Sequence, residues 1–200
     1  MKTKILYFAV TILFLSGCGI NKQAKELKAL EDCKYEIKSA DSVFIVGKPL
    51  KSFVNNGNID LSSAPSLAFA MLRKNIPLTG KMNLKIQNPT SQVAGINQFE
   101  YLVLFQNKEI AKGFVDQKVI VEPGKEVIVP VAINANIYQL LADETTLNEL
   151  LNLFNNNDSK KKATGIVTLK IKPTIALGNK LINYPGYITV DKEISREIFL

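Results

Sequence analysis

The stretch Met82-Asn83-Leu84-Lys85-Ile86-Gln87-Asn88-Pro89 decides the fold class of this chain. Its apolar residues alternate with polar ones, the pattern of a β-strand that buries one face. The alternation stops at Asn88-Pro89, where proline removes a backbone donor from the ladder and asparagine can hydrogen-bond its own backbone. We therefore predict a strand that ends at this pair.

Similar strand patterns, separated by turn signals, run along most of the remaining sequence. They begin near Cys33, Phe99, Ile110, Lys118, Glu126, Ile166 and Tyr187. Gln106-Asn107-Lys108 is a predicted hairpin turn, and Pro123-Gly124 marks another turn. Pro130 interrupts a regular pattern, so we expect it on an edge strand or at a bulge. Strands about 10 residues apart, without helices between them, predict an antiparallel sandwich or barrel.

Two helical insertions are predicted within this β-rich pattern. The first insertion lies near 63–75. Ser63 is a candidate for its N-terminal cap, and Pro65 fits its first turn. Its expected core-facing stripe consists of Leu67, Ala68, Met71 and Leu72. In the second, near 136–154, Thr146-Leu147-Asn148-Glu149 fits a capping box. The leucine-rich face of this segment suits the core, and a partner groove or a lipid-facing surface is the alternative.

Several short motifs, taken in order, resemble the late-embryogenesis-abundant type 2 family, also called the water-stress and hypersensitive-response domain. The motifs are Leu84 to Pro89, Phe99 to Leu104, Ile110 to Gly113, Val121 to Gly124 and Val127 to Val131. The resemblance covers residues 79–141, and its structural motif positions are Asn88, Pro89 and Gly113.

This resemblance implies a mainly β fold, an immunoglobulin- or fibronectin-III-like antiparallel β-sandwich of about seven strands. It also implies no enzymatic activity, no cofactor and an association with desiccation or stress protection. The two helical insertions depart from the family pattern, so they are the parts we expect to be specific to this protein.

The N-terminus has the features of a secretory signal. Lys2 and Lys4 precede an apolar run from Ile5 to Leu15, which is too short to span a bilayer as a helix. The following Leu15-Ser16-Gly17-Cys18 resembles the lipobox of bacterial lipoproteins, in which the signal is cleaved before the cysteine and Cys18 is acylated. An ordinary cleaved signal that contains a cysteine and a stop-transfer anchor are the alternatives.

These features divide the chain into a lipoprotein signal peptide over residues 1–17, a lipidated tether over 18–32 and one sandwich domain over 33–200. The predicted location is the cell envelope, lipid-anchored at the periplasmic face of an outer membrane. This location is implied by a resemblance to known lipoprotein sorting patterns, because Gly19 follows the lipidated cysteine and the next residues form no acidic cluster. In a Gram-positive host the location would be the outer leaflet of the only membrane.

Cys33 would have no disulfide partner once Cys18 carries lipid, so we interpret it as a small apolar packing residue. The chain contains no histidine, which removes the commonest general base and zinc ligand. Asp143-Glu144 is interpreted as the polar start of a helix rather than a catalytic pair. Asn155 to Asp158 could offer oxygen ligands to calcium, but Lys160 to Lys162 follow directly and disfavour a dication. We predict no catalytic residue, no metal site and no cofactor.

The formal net charge of +7 is mild, and arginines are too few and too scattered for a nucleic-acid surface. We predict no nucleic-acid partner. Tyr184-Pro185-Gly186-Tyr187 places two aromatic residues around a turn, where they could stack on a sugar or a peptide or simply pack at the end of the sandwich.

The leading functional prediction is a non-enzymatic, lipid-anchored envelope protein that contacts the membrane through its lipid. Its domain would bind or shield an envelope protein or glycan, in connection with desiccation or stress. The alternative is an accessory or assembly subunit that docks onto an outer-membrane or secretion complex through the helical insertions, and that would expose an apolar patch there. An enzyme acting on envelope polymers is disfavoured by the missing histidine. The oligomeric state stays open.

Overall fold

The computed structural model describes residues 17–55, 58–59, 65–155, 165–177 and 180–194. Predictions for the signal segment before Gly17, for the Ser63 cap and for the Lys160 to Lys162 run lie outside these residues. The side chain of Cys18 also lies outside them, although its backbone belongs to a helix.

Strands dominate the described part of the chain. The helices are α1 (Gly17–Asp32), α2 (Pro65–Leu72), α3 (Tyr138–Ala142) and α4 (Glu144–Asn155), with a 3₁₀ turn at Leu50–Phe53. The strands are β1 (Lys34–Ile45), β2 (Lys48–Pro49), β3 (Val54–Asn55), β4 (Asn58–Ile59), β5 (Pro77–Gln87), β6 (Ala94–Ile96), β7 (Gln98–Phe105), β8 (Lys108–Val115), β9 (Val119–Val121), β10 (Glu126–Asn136), β11 (Gly165–Leu177), β12 (Lys180–Asn183) and β13 (Ile188–Ile194).

Two larger sheets enclose the core. The first has the order β10-β5-β1-β2, and the second the order β12-β11-β7-β8 with β13 also paired to β11. Each of these pairings is antiparallel, as are the short pairs β3-β4 and β6-β9. The prediction of a mainly β, antiparallel fold is confirmed. The edge of β1 lies beside β13, and β8 lies beside β10.

The strand that contains Met82 to Gln87, β5, lies in the middle of the first sheet. β5 pairs with β1 on one side and with β10 on the other, and it ends at Gln87. Leu84 and Ile86 are fully buried, as the alternation predicts. Pro130 lies on β10, an edge strand, so the prediction for this proline is confirmed. The hairpin turn at Gln106-Asn107 is also present, with φ values of 47° and 65°.

The main core lies between the two sheets, and a smaller cluster closes one end. We call the end where α1 meets Asn88 the Asn88 pole, and the end covered by α2, α3 and α4 the helical pole. The cluster at the helical pole consists of Phe53, Leu67, Ala70, Ile76 and Ile137. Asn136 stabilises this pole, because its side-chain oxygen accepts from the N–H groups of Ile76 (2.8 Å) and Tyr138 (3.1 Å).

The last turn of α1 belongs to the domain. Ala29 and Leu30 are buried in the main core, and the Tyr35 hydroxyl donates to the Leu30 carbonyl at 2.8 Å. The end of the segment that we predicted to be a tether is therefore packed against the sheets.

Both predicted helical insertions are helical, but the buried face of α2 differs from the prediction. Leu67 and Ala70, three residues apart, are buried, whereas Met71 is 37% and Leu72 80% exposed. Ala68 is exposed as well. The predicted stripe of Leu67, Ala68, Met71 and Leu72 was therefore wrong for three of its four members. The helix has only two turns, and Ile76 in the following segment supplies the remaining apolar contact.

The predicted capping box of α4 is also wrong. The helix begins at Glu144, and Asp143 caps it by accepting from the backbone N–H of Thr146 at 2.8 Å and from its hydroxyl at 2.6 Å. Thr146 is thus a buried member of the first turn rather than the cap. The predicted box would have started the helix after Thr146. Asp143 instead accepts from the first-turn N–H of Thr146, so the helix begins three residues earlier.

Candidate functional site: an apolar cavity between the sheets

A cavity of about 190 Å³ lies between the two sheets toward the helical pole. Aliphatic and aromatic side chains form nearly all of its wall. They are Ile37, Ala40, Val43, Ile45, Leu50, Phe53, Leu67, Leu78, Met82, Val103, Phe105, Ile110, Ile133, Ile137, Leu140, Leu141, Leu147, Leu150, Leu151, Val167 and Ile194. Folded cores have few voids larger than a water molecule, so an apolar cavity of this size is a candidate binding site.

The irregular course of β1 accompanies the cavity. Its pairing with β5 shifts register between Ile37 and Ser39 and again between Asp41 and Phe44, and Ser42 has a φ of 52°. Bulges bend a strand and redirect its side chains, and they are common next to binding sites. Both irregularities lie in the part of β1 that lines the cavity.

The helical pole covers the space from the end of the sheets. Leu140 and Leu141 come from α3, and Leu147, Leu150 and Leu151 from α4. The leucine-rich face of the second helical insertion is therefore turned inward, as the core interpretation of that segment predicts. It faces a cavity, however, rather than a filled core.

The core toward the Asn88 pole contains apolar residues that are almost fully buried. Ala94, Ile96, Phe99 and Val121 have exposures of 0–1% there. None of these four residues lines the cavity.

Three polar residues complete the lining: Lys38, Ser39 and Lys192. Lys38 is the extra residue of the first bulge in β1 and has no pairing partner on β5. Lys192 occupies the inward-facing row of β13, between the buried residues Val190 and Ile194. Because β1 lies beside β13, both lysines belong to the seam between the two sheets.

Glu36 is the carboxylate of this seam. Its Oε2 atom is 2.7 Å from Lys85 Nζ, and its Oε1 atom is 3.9 Å from Lys192 Nζ. The hydrogen bond and charge of Lys85, followed by the charges of Lys192 and Lys38, lower the pKa of Glu36. The acid is thus already engaged by Lys85, on the outer side of the sheet.

The structure places the motif residue Asn88 in a buried hydrogen-bond network at the opposite pole. Its side chain is fully buried; the amide nitrogen donates to the carbonyls of Gln92 (2.7 Å) and Val121 (2.9 Å). Its oxygen accepts from the N–H (3.0 Å) and hydroxyl (2.8 Å) of Thr90. Neighbouring Pro89 is exposed.

Gly113, the third motif position, lies under an aromatic ring. The Tyr101 ring passes so close that a Cβ atom on residue 113 would overlap it. The Tyr101 hydroxyl continues past Gly113 to donate to the carbonyl of Ala132 on β10. This bond joins the second sheet to the first along the β8/β10 side. Asn88, Pro89 and Gly113 therefore do not line the cavity.

Cys33 is buried in the main core without a disulfide. Burial, followed by the charge of Asp32, raises the pKa of its thiol to about 11. A thiol in this state is a weak nucleophile, which agrees with the interpretation of Cys33 as a packing residue.

The two tyrosines around the predicted turn have different surroundings. The hydroxyl of Tyr184 donates to Glu31 of α1 at 3.2 Å, so this residue packs against the helix. Tyr187 is 46% exposed, and Lys172 Nζ lies 5.8 Å from its ring centroid.

Asp143 is a helix cap in the structure. It accepts from Lys108 Nζ at 2.5 Å as well as from Thr146, and the Lys108 bond is the first cause of its lowered pKa. Within the described residues, no group of three or more acidic or cysteine side chains is arranged to hold a metal ion. No helix in the described ranges is long and apolar enough to cross a membrane.

Sequence reasoning missed the cavity. Two signals were present: the irregular alternation through Ser39-Ala40-Asp41-Ser42 in β1, and the excess of leucine between 140 and 151. Neither signal separates a filled core from an open one, because both predict only that the segments face inward.

Comparisons with known proteins give weak likenesses. No protein-family model matches the sequence, and no curated protein matches it. A crystal structure of a protein from Archaeoglobus fulgidus shares 16% identity with a TM-score of 0.34, covering 60% of this chain and 85% of that one. A solution structure of an Arabidopsis thaliana protein shares 14% with a TM-score of 0.32, covering 60% and 70%.

A third likeness spans nearly the whole chain. It is a solution structure described as a candidate late embryogenesis abundant (LEA) protein, with 14% identity and a TM-score of 0.36, covering 98% of this chain and 92% of that one. At these TM-scores the likenesses do not establish a common fold or family.

Proposed function

We propose that this protein is a lipid-anchored, non-enzymatic envelope protein that binds an apolar ligand between its two sheets. The observation that carries the proposal is the cavity of about 190 Å³ with its almost wholly apolar wall. An enclosed apolar cavity of about 150 Å³ stays dry and binds benzene, so a space of this size favours an apolar occupant over water.

The chemistry of the wall supports binding rather than catalysis. Among the described residues, the lining has only three polar members, which lie on one side of it: Lys38, Ser39 and Lys192. Acid–base catalysis most often uses an imidazole or a carboxylate within hydrogen-bond reach of the reacting atom, and the residues of this lining include neither.

We also infer that the two sheets form an immunoglobulin- or fibronectin-III-like core, as the resemblance to the late-embryogenesis-abundant type 2 family implies. The two antiparallel sheets around one core support this inference. The stress-protective role implied by the same resemblance has no comparable observation behind it and stays a prediction.

A cavity-filling substitution tests the proposed binding function. Ala40 lines the cavity, so Ala40→Phe should occupy part of it and weaken binding at least tenfold. Binding would be measured by fluorescence titration of the neutral dye N-phenyl-1-naphthylamine into the full chain carrying Cys18→Ser, purified without detergent. Displacement of the dye by 1-decanol would show that an alkyl chain takes the same place.

Ala176→Phe is the matched control, because Ala176 is exposed on β11 and does not line the cavity. The control should bind the dye like the unmodified chain, and thermal unfolding should show that both variants are folded. Equal dye affinity in a folded Ala40→Phe variant would refute binding in the cavity.

A second candidate function, docking as an accessory subunit, is favoured by the outer face of α2. Phe69 is 64% exposed, and Met71 and Leu72 lie beside it with exposures of 37% and 80%. Crosslinking from a photoreactive residue at position 69 in native cells, compared with position 112 on β8, tests this candidate. A partner captured at 69 and not at 112 would support docking, and the same products from both positions would count against it.

A further inference from the structure

We propose that the ligand of the cavity is a single-chain amphiphile with an anionic head group, its chain between the sheets and its head at Lys38 and Lys192. This inference rests on the proposed binding function and adds the chemical class of the ligand. A carboxylate of a fatty acid and a phosphate of a single-chain lipid share the required chemistry.

The first support is the placement of the two lysines. Leucines of α3 and α4 line the cavity at the helical pole, whereas Lys38 and Lys192 enter the lining at the β1/β13 seam. Within the described residues, β1 pairs with β5 and, only at Phe44 and Ile45, with β2. Its other edge along Lys34 to Asp41 is therefore open toward β13 and toward a head group.

The second support is the position of a lysine on an inward-facing row. Lys192 lies between the buried residues Val190 and Ile194 of β13, and its side chain is 32% exposed. Its stem can therefore cover apolar surface while its ammonium group stays hydrated at the seam. The ammonium group is 3.9 Å from Glu36, which is itself hydrogen-bonded to Lys85, so it is placed to contact an anionic head group as well.

The third support is the group of lysines around Glu36. The charges of Lys85, Lys192 and Lys38 all act on this one carboxylate. Glu126 also acts on Lys85, whereas Asp41 and Asp191 are hydrogen-bonded to the neutral side chains of Asn83 (2.5 Å) and Thr168 (2.6 Å). The lysines around Glu36 are adjacent to an apolar space, which is the arrangement that suits an anionic head on an apolar chain.

The volume supports one chain rather than two. A space of about 190 Å³ is only slightly larger than an engineered cavity of about 150 Å³ that is filled by benzene. A slender alkyl segment fits such a space, and a second chain would require the sheets to separate.

The test compares ligands that share a ten-carbon chain and differ in the head group. Decanoate, decyl phosphate, 1-decanol and decyltrimethylammonium would each displace the neutral dye from the full chain carrying Cys18→Ser. We expect both anions to bind about tenfold tighter than decanol, and the cation to bind weakest. The tighter of the two anions identifies a fatty acid or a phosphate lipid as the source.

Three variants locate the head group. Lys38→Gln with Lys192→Gln should remove the preference for anions, so that decanoate and decyl phosphate bind no tighter than decanol does. Glu36→Gln should have the opposite effect and raise decanoate affinity severalfold. Lys112→Gln, on the outer surface of β8, should change neither. Thermal unfolding checks that each variant is folded.

The outcomes separate the two proposals. If decanol displaces the dye as well as decanoate does, binding in the cavity stands and the anionic head group is refuted. An anion preference that survives in the double lysine variant also refutes it, because the head group would then lie elsewhere. If none of the ligands displaces the dye, the proposed binding function itself fails.

Discussion

Asn88 joins four segments of the chain through one residue. Its side chain contacts Thr90, Gln92 and Val121, and its backbone N–H and carbonyl pair with Lys125 (2.9 Å) and Gly124 (2.9 Å). The end of β5, the loop before β6, the end of β9 and the turn before β10 are all held at this point. A fully buried amide with each polar atom satisfied is a strong constraint on local structure.

Asn88→Ala should therefore lower the free energy of unfolding by about 3 kcal/mol. The substitution removes several buried hydrogen bonds and leaves the Val121 carbonyl without a partner. Urea denaturation measures the change, and Gln87→Ala, at the exposed neighbouring position, is the control. A loss no larger than that of the control would show that solvent replaces these bonds and that the network is dispensable.

The role of Asn88 was only half predictable from the sequence. Its bond to the backbone of Thr90, two residues on, is the local behaviour expected of asparagine before a turn. The bond to Val121 spans 33 residues and depends on the tertiary fold. Gly113 is similar, since only the position of the Tyr101 ring explains why a side chain would not fit there.

At the scale of elements, the position of α4 is tied to the β7-β8 hairpin. Lys108, directly after the hairpin turn, contacts both Asp143 and Thr146, each at 2.5 Å. Asp143, which caps the helix, thus also forms an ion pair with Lys108 of the second sheet. Leu147, Leu150 and Leu151 are held over the cavity by this connection.

This connection should make the stability of α4 depend on pH. Hydrogen bonds from Lys108 and then from Thr146 hold the pKa of Asp143 below its ordinary value of about 3.9. A lowered folded-state pKa stabilises the fold when the group is charged, so the contribution is complete above the unfolded pKa and is lost as the pH falls through the folded pKa. Asp143→Asn should lower the melting temperature at pH 7, and the difference from the unmodified chain should shrink in acid.

Circular dichroism melts at pH 7, 4 and 2 measure this difference. Glu149→Gln, on the exposed face of α4, controls for the loss of one negative charge. A deficit of Asp143→Asn that stays constant between pH 7 and pH 2 would show that the carboxylate charge is not what stabilises the cap.

The elements that sequence reasoning predicted well are those with strict alternation. β5 pairs with a strand on each side, β10 pairs with β5, and each buries one face, so local pattern and tertiary role agree. β12 was missed because all four of its residues are exposed, and its pairing with β11 is what makes it a strand. The face of α2 was misassigned because a helix of two turns carries too few residues to define a stripe.

At the scale of the whole molecule, the chain enters the domain at the pole opposite the cavity. α1 leads into β1 beside the end of β5, and the cavity lies toward the other ends of these strands. A lipid on Cys18 would therefore attach the protein through its Asn88 pole. The helical pole would face away from the point of attachment.

Cys18→Ser should release or mislocalise the protein, because the serine hydroxyl cannot be acylated in the same way and the lipid tether is lost. Fractionation of cells with a salt and alkali wash measures this. Cys33→Ser is the matched control and should stay bound, since its thiol is buried in the core. A Cys18→Ser protein that still resists the wash would contradict the lipoprotein prediction.

The class of the fold followed from local patterns, whereas the candidate site did not. Each local pattern predicts the structure of the residues around it: the alternation predicts strands, and Asn88-Pro89 and the turn residues predict where strands end. Together these patterns predict antiparallel sheets. The cavity is instead a volume that no side chain fills. Its size depends on how side chains from many strands and helices pack together, which no local pattern describes. Lys192 illustrates the limit, because its inward position is apparent only once β13 is paired with β11.

The bond from Tyr101 across Gly113 to Ala132 gives the two sheets a hinge line. It joins them on the β8/β10 side, while among the described residues the β1/β13 side is held by the longer contact of Lys192 with Glu36. Thermal widening of the gap between the sheets would then be a rotation about the tyrosine side, with the largest displacement at the opposite edge. If the proposed ligand binds between the sheets, we expect this asymmetry to act on how fast the ligand enters and leaves.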